Sequence, residues 1–399
     1  MTDVVEVLLP AVFAVYLVAV ASYLVLQVIF ASRTWRHGSA MPDGGPTPPV
    51  DIIIPCYNED PAILEACLDS VSKQDYQGSL SVHVVDDGSP NRAALEAVYE
   101  RFEQQYGFRI LRLPENRGKR FAQAEVITSS QGEIVIAVDS DTTIAEDGVR
   151  TMVAALDDPQ VGAAMGEMLA ANAGESWLTR LIDLRYWYAC NQERAAQSEF
   201  GAVLCCSGPF SAYRRSVLEK VLDDYLDQTF MGRPSTYGED RYLTNLILRC
   251  GSRTTYVPAA RARTTAPHRI RPFLRQQLRW NRCTYRDTLG IVGRLPQLGA
   301  YLVFDAVMQV FAPMLLGLTV LLLGLHLVTA GTAGLGWYAG GLLLVALGYC
   351  GYGTWRSRRA GFLSFALYGV LHVALLIPAR VQALATITDD RWGKRGVSA

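Results

Sequence analysis

Residues 133–141 read Glu-Ile-Val-Ile-Ala-Val-Asp-Ser-Asp. Five consecutive apolar residues, four of them β-branched, end in two carboxylates one residue apart. An apolar run without alternation marks a strand buried on both faces, as in the middle of a parallel sheet. In open α/β sheets ligands gather at the carboxyl ends of strands. Asp139 and Asp141 therefore stand where a binding site is expected.

Working outward, the same reading repeats. Strands are expected at Asp51–Pro55, Leu80–Val85 and Phe108–Leu113, with helices at Pro61–Lys73, Arg92–Tyr106 and Phe121–Ser129. This alternation predicts a parallel sheet with helices on both faces. Two more strand ends are polar: Tyr57-Asn58-Glu59-Asp60 follows the first, and Asp86-Asp87-Gly88-Ser89 the second. No G-x-G-x-x-G follows the first strand, which disfavours a dinucleotide fold, and there is no P-loop.

Paired carboxylates at a strand end suit Mg²⁺ or Mn²⁺, which take one or two carboxylates plus phosphate oxygens. Between the acidic ends lies Asn116-Arg117-Gly118-Lys119-Arg120, read as a diphosphate clamp with Gly118 allowing close approach and Lys119 as a point charge. The alternative is a solvated basic turn. Tyr237-Gly238-Glu239-Asp240-Arg241 opens a further helical stretch, where adjacent acids often serve only the helix dipole. Gln276-Gln277-Leu278-Arg279-Trp280 lies in an amphipathic stretch from Arg271 to Leu289, in the manner of a helix at a membrane interface.

The rest of the chain is a different material. Val7–Ser32 carries no charge; Leu298–Trp355 carries only Asp305 and His326, and Ala360–Thr388 only His372 and Arg380, as acidic, basic or histidine side chains. About 20 apolar residues span a bilayer, so four spans are expected, near 8–30, 306–329, 335–355 and 361–385. Arg33 and Arg36, then Arg356, Arg358 and Arg359, place their loops in the cytoplasm, with both chain ends outside. Against this, Arg391, Lys394 and Arg395 crowd the tail. Asp305 and Arg380, inside or near spans, are expected to face protein or an aqueous cavity. Arg380 is read either as lining an exit channel or as snorkelling to an interface.

Composition agrees with two materials. The 399 residues are 50% hydrophobic and 19% charged, with net charge −1 and a mean hydropathy of +0.15. That excludes a disordered chain and disfavours a basic nucleic-acid binder. Eight cysteines, none in C-x-x-C spacing, make a disulfide scaffold or zinc site improbable.

Tyr57-Asn58-Glu59, Asp86-Asp87-Gly88-Ser89, Asp139-Ser140-Asp141, Gly238-Glu239-Asp240-Arg241 and Gln276-x-x-Arg279-Trp280, in this order, resemble a processive, membrane-embedded family 2 glycosyltransferase. Residues 175–197, 205–215 and 276–287 are similar to hyaluronan synthases and nodulation-type chitin oligosaccharide synthases. The resemblance implies an α/β GT-A (Rossmann-like) cytoplasmic glycosyltransferase domain over 50–271, with transmembrane helices on its flanks and amphipathic interface helices. It also divides the rest: a transmembrane helix over 1–32, a Pro/Gly linker over 33–49, the interfacial helix over 272–297, about three transmembrane helices over 298–388 and a tail over 389–399.

The implied roles are Asp240 as catalytic base, Tyr57, Glu59, Asp87, Lys119, Asp139 and Arg279 as donor-binding, and Trp280, Ser207, Gly208 and Glu239 as acceptor-binding. Asp141 and Asp139 would hold Mg²⁺ or Mn²⁺. Implied partners are UDP-sugar donors, a growing polysaccharide acceptor and the lipid bilayer of the cell membrane, with no nucleic acid, and the chain acting as a monomer or homo-oligomer. The resemblance leans toward a hyaluronan synthase-like polymerase. A chitin oligosaccharide synthase using UDP-GlcNAc alone is the alternative, and a non-processive lipid glycosyltransferase a second one.

Overall fold

The computed structural model describes residues 2–37, 47–332 and 334–390. Most of the Pro/Gly linker and all but the start of the tail lie outside these residues. The described residues form ten strands: β1 (Val50–Cys56), β2 (Leu80–Asp86), β3 (Arg109–Arg112), β4 (Ile134–Val138), β5 (Thr142–Ile144), β6 (Val161–Ala170), β7 (Phe210–Arg214), β8 (Thr229–Phe230), β9 (Arg233–Pro234) and β10 (Arg253–Thr264). Eight form one sheet in the order β3-β2-β1-β4-β7-β6-β10-β5, while β8 and β9 make a small hairpin.

β3, β2, β1 and β4 run parallel, as the sequence predicts. In the other half β6 and β10 pair parallel, but the remaining pairs do not. β7 is antiparallel to both β4 and β6, and β5 is antiparallel to β10. The sheet is therefore mixed, and the expectation of a wholly parallel one is corrected. Ile52, Ile53 and Ile54 of β1 are all within 1% of full burial, so both faces of this strand are covered; cutting one back to Ala would cost roughly 2–5 kcal/mol.

Local chemistry sets the helix starts. α1 (Thr2–His37) buries one stripe of side chains, Leu9, Phe13, Tyr16, Val20 and Tyr23, and leaves Val7, Val15, Val18 and Val25 exposed. α2 (Pro61–Ser72) has Pro61 at its first position and Asp60 as N-cap, accepting from the amides of Ala62 and Ile63, a contribution of about 1 kcal/mol. α3 (Arg92–Tyr106) and α4 (Lys119–Ser129) complete the parallel half, and α5 (Gly148–Ala154) packs on β10 of the other half. α6 (Trp177–Tyr188) is closed by a Ser176–Thr179 capping box. It runs through a π-helical turn, Ala189–Arg194, into the short α7 (Ala195–Ser198). α8 (Arg215–Leu226), α9 (Glu239–Arg249), the amphipathic α10 (Ile270–Ile291) and α11 (Leu295–Leu298) follow.

Among the described residues four helical segments are long and apolar enough to cross a membrane: Val4–Trp35 within α1, α12 (Ala300–Ala330), α13 (Leu335–Ser357) and Ala360–Ala385. The last is irregular, a 3₁₀ turn, α14 (Ala366–Leu371), a π turn and α15 (Ile377–Ala385). α1 and α12 are tied by the Tyr23 hydroxyl, which donates to Asp305 Oδ1 at 2.7 Å. Gln197 and Gln309 donate to Asp305 Oδ2, each at 2.8 Å. Asp305 thus faces a protein interior, as expected.

Both ends of the fourth segment meet the sheet-bearing domain. At its start Phe362 packs edge-on against Trp187 and Tyr188, and Arg359 pairs with Asp183. Past its end Arg282 donates to Thr386 Oγ1 at 2.8 Å and pairs with Asp389 at 3.2 Å. Arg286 donates to the carbonyls of Ile387 (2.6 Å) and Asp389 (2.7 Å), and Tyr237 donates to the Asp389 carbonyl at 2.5 Å. A crossing helix must part its ends by about 30 Å across the bilayer. Residues 386–390 instead lie on the face that carries α10. The expectation of a C-terminal end on the far side of the membrane, drawn from the number of spans and the placement of Lys and Arg, does not anticipate these contacts.

Candidate active site

One cavity of about 1670 Å³ opens at the carboxyl ends of β1, β2 and β4 and continues between α1, α12, α13 and the fourth apolar segment. Single-ligand pockets run to roughly 300–1,000 Å³. This one has room for more than one small molecule.

Asp139 and Asp141 leave β4 into the cavity. Thr142 and Thr264 hydroxyls donate to Asp141 Oδ1 at 3.3 and 3.2 Å. Sequence reading missed Thr264, because a threonine ending a strand carries no signal of its own. Among the described residues no group of three or more His, Cys, Asp or Glu side chains is placed to hold a metal ion. The two carboxylates are hard oxygen donors that fit Mg²⁺ or Mn²⁺ only jointly with further oxygens, such as those of a diphosphate.

Lys119 opens α4 and points to the centre of the acids. Its Nζ lies 2.7 Å from Asp139 Oδ1 and 3.5 Å from both Glu239 Oε1 and Asp240 Oδ1. Burial alone would lower the Lys119 pKa, but Asp139, Asp240 and Glu239 outweigh it and hold the ammonium well above its ordinary range.

Glu239 and Asp240 form the first turn of α9. Gly238, just before them, has φ 89°, and a Cβ there would meet Cys283 Sγ of α10 at 2.5 Å. A side chain at 238 would push α9 off α10 and move both acids. The Gly208 amide donates to Asp240 Oδ2 at 2.8 Å. Burial, only partly offset by Lys119, and then the charges of Glu239 and Asp139 push the Asp240 carboxyl up to about 7. Burial acts on Glu239 too, but there Lys119 prevails and the carboxyl sits below its usual range. Adjacent acids with opposed shifts are the pattern of a proton acceptor beside a fixed anion.

Two expected donor contacts are revised. Glu59 is buried behind the cavity wall, where its Oε2 accepts from Ser140 Oγ at 2.9 Å. It braces the Asp139–Asp141 turn and does not line the cavity. The clamp Asn116–Arg120 divides its labour as well. The amides of Arg117 and Gly118 both donate to the Asp87 carboxylate at 2.8 Å, and Asn116 Nδ2 adds a third bond at 3.0 Å. These amides hold Asp87, and Arg117, Lys119 and Arg120 all line the cavity, with Lys119 among the acids. Burial raises the Asp87 pKa despite these donors.

Tyr57, Ser207, Arg279 and Trp280 also line the cavity. Trp280 is 37% exposed there, its ring centroid 6.3 Å from that of Tyr186. Gly208 has no room for a side chain: a Cβ would meet Asp240 Oδ2 at 2.8 Å and Asp139 Oδ2 at 3.1 Å. Arg380 reaches the same cavity further along, donating to the Gln309 carbonyl at 3.1 Å.

The model of glycosyl transferase family 2 matches residues 51–222. The chain is 47% identical over 391 residues to an N-acetylglucosaminyltransferase of Sinorhizobium fredii, covering 97% of this chain and 94% of that protein. It is 44% identical over 390 residues to an N-acetylglucosaminyltransferase of Rhizobium meliloti, covering 96% and 91%. Among solved structures it is similar to the mannosyltransferase PcManGT of Pyrobaculum calidifontis, in complex with GDP-Man and Mn²⁺, with a TM-score of 0.65 and 22% identity over 90% of this chain and 99% of that one. At that identity the likeness is one of fold, the GT-A arrangement.

Proposed function

Given that the chain belongs to glycosyl transferase family 2 and is a glycosyltransferase, we propose that it transfers N-acetylglucosamine from UDP-GlcNAc to a growing β-linked, chitin-type oligosaccharide. The observation that carries this reading is the joint cavity. Asp240, Lys119, the Asp139–Asp141 pair and Trp280 all line it. The sequence alone leaned toward a hyaluronan-type polymer from two donors. The shared name of the relatives specifies one sugar, and this favours the single-donor product.

In the mechanism, Asp240 takes the proton of the acceptor hydroxyl as that oxygen attacks the anomeric carbon from the face opposite the departing UDP, giving inversion. Gly208 keeps the Asp240 carboxylate oriented. Lys119 and Arg279 supply fixed positive charge toward the diphosphate as it gains negative charge. Asp139 and Asp141 would hold Mg²⁺ or Mn²⁺ against the same phosphates, and the ion would supply Lewis-acid neutralisation of the leaving group. Tyr57 and Asp87 face the nucleoside, and Trp280 offers a flat apolar face to the acceptor ring. Ser207, Gly208 and Glu239 shape the acceptor side.

The domain sits in the cytoplasm at the cell membrane. α1, α12 and α13 cross it, and the fourth segment stays in the interface, so that the positive tail is cytoplasmic too. A polar oligosaccharide needs a protein-lined route through lipid, and the membrane end of the cavity, with Arg380 in its wall, supplies one. The test is to supply labelled UDP-GlcNAc with and without UDP-glucuronate. A product formed from UDP-GlcNAc alone, digested by chitinase and resistant to hyaluronidase, supports the reading. A product that requires both donors contradicts it.

A further inference from the structure

Arg120 follows Lys119 in the first turn of α4. Successive helix positions are turned by about 100°, and the two side chains reach different neighbours. Lys119 meets the acids. The Arg120 guanidinium meets the chain that leads into α9: its Nη1 donates to the Ser235 carbonyl at 3.1 Å and its Nη2 to Gln228 Oε1. Arg120, Gln228 and Ser235 are all buried, and the guanidinium lies over the Tyr225 ring of α8, 5.3 Å from its centroid. Sequence reading grouped Arg120 with the diphosphate clamp. In the fold, two of its three nitrogens are committed to protein oxygens.

Gln228 and Ser235 are the two ends of the β8–β9 hairpin, joined by the Ser235 amide, which donates to the Gln228 carbonyl at 3.0 Å. Arg120 therefore grips both ends at once. A planar guanidinium holds two acceptors in a fixed relation, which the point charge of a lysine on its flexible stem does not. Arg286 of α10 holds the same hairpin, its Nη1 donating to Ser235 Oγ at 3.2 Å and its guanidinium lying 5.7 Å from the Phe230 ring. Only Thr236, Tyr237 and Gly238 separate Ser235 from Glu239, where α9 begins. A fixed Ser235 leaves the start of α9 little freedom. One turn of α4 thus carries both Lys119 and the grip on the chain that ends at Asp240, whose Oδ1 lies 3.5 Å from Lys119 Nζ.

We propose that Arg120 is a positioning residue: by holding both ends of the hairpin against the first turn of α4, it sets where Asp240 stands relative to Lys119. The base on the acceptor side is thereby aligned with the charge on the diphosphate side. The proposal rests on the reading above in which Asp240 is the base, and goes beyond it by assigning the residue that fixes the place of that base. Arg120 acts through the hairpin and not on the reacting atoms. Its consequence is that losing Arg120 slows transfer without weakening the donor complex.

The test uses the full-length protein in detergent or nanodiscs, with UDP-GlcNAc and a GlcNAc disaccharide acceptor. Arg120→Ala removes both bonds and leaves a gap in the wall of the cavity that Arg120 lines, within reach of free guanidinium ion. The expected result is a kcat lower by about 10–100-fold, the range that a displacement of about 1 Å produces, with the UDP-GlcNAc KM within about threefold. Guanidinium chloride, far below denaturing concentrations, is expected to restore kcat several-fold, and sodium chloride at the same ionic strength to leave it low. Gln228→Leu removes one of the two acceptors, so it should lower kcat less and not respond to guanidinium. Combined with Arg120→Ala it should slow the reaction no further, because the two act as one unit. Should Arg120→Ala fail to fold, Gln228→Leu carries the expectation of a lower kcat at an unchanged donor KM. A folded Arg120→Ala with unchanged kcat overturns the proposal. So does a donor KM raised with kcat retained, which would make Arg120 a diphosphate ligand, and so does a loss of kcat that guanidinium leaves untouched, the mark of packing alone. An unmodified chain that forms no GlcNAc oligomer, or full turnover in Asp240→Asn, overturns the functional reading instead, so the failures are distinct.

Discussion

The Gly208 amide donates to Oδ2 of Asp240 at 2.8 Å. This bond fixes one carboxylate oxygen against the backbone, while Oδ1 faces Lys119 at 3.5 Å. Asp240→Asn keeps that shape and removes the base. Its turnover is expected to fall by about 10²–10⁴ with the protein still folded, as measured by UDP release against the melting midpoint.

The pH dependence follows from the same carboxyl, raised to about 7 by burial and its acidic neighbours. Asp240 can accept a proton only when ionised. kcat/KM should therefore climb as pH rises through about 7 and be low below it. Lys119 favours the ionised form, so Lys119→Met should move this rising limb to higher pH as well as slow the reaction. A limb unmoved in Lys119→Met, from a full pH–rate profile, would separate the lysine from the base.

Trp280 faces the cavity from α10. Removing its ring in Trp280→Ala should raise the acceptor KM by roughly tenfold or more while the UDP-GlcNAc KM stays within about twofold. Initial rates with each substrate varied in turn distinguish this from a loss of donor binding.

Asp389 and Asp390 are bonded through their carbonyls to Tyr237 and Thr236, just before α9. A fluorescent protein that folds only in the cytoplasm, fused to the C-terminus, is accordingly expected to fluoresce, and an alkaline phosphatase fused there to stay inactive. The reverse pattern would return the tail to the far side of the membrane.

Much of this was legible in the sequence because it is local. A run such as Ile134–Val138 ending in Asp139 announces both strand and site, and α3 begins and ends where its pattern predicts. What was hidden is non-local. Whether β7 pairs parallel or antiparallel with β4 depends on how residues about 75 positions away return to the sheet, and no pattern within β7 records it. Glu59 resembles its exposed neighbours in type, yet its direction depends on Ser140. Hydropathy measured Ala360–Ala385 by length, whereas the bonds that Arg282 and Arg286 of α10 make to the residues just past its end leave no local pattern.

The most direct test of the central claim is the mass spectrum of the products that the purified protein makes from UDP-GlcNAc as sole donor, with Mg²⁺ or Mn²⁺ present. The account predicts a ladder of oligomers spaced by one N-acetylhexosamine, lost in Asp240→Asn. A single-sugar lipid, or no oligomer until UDP-glucuronate is added, would contradict it.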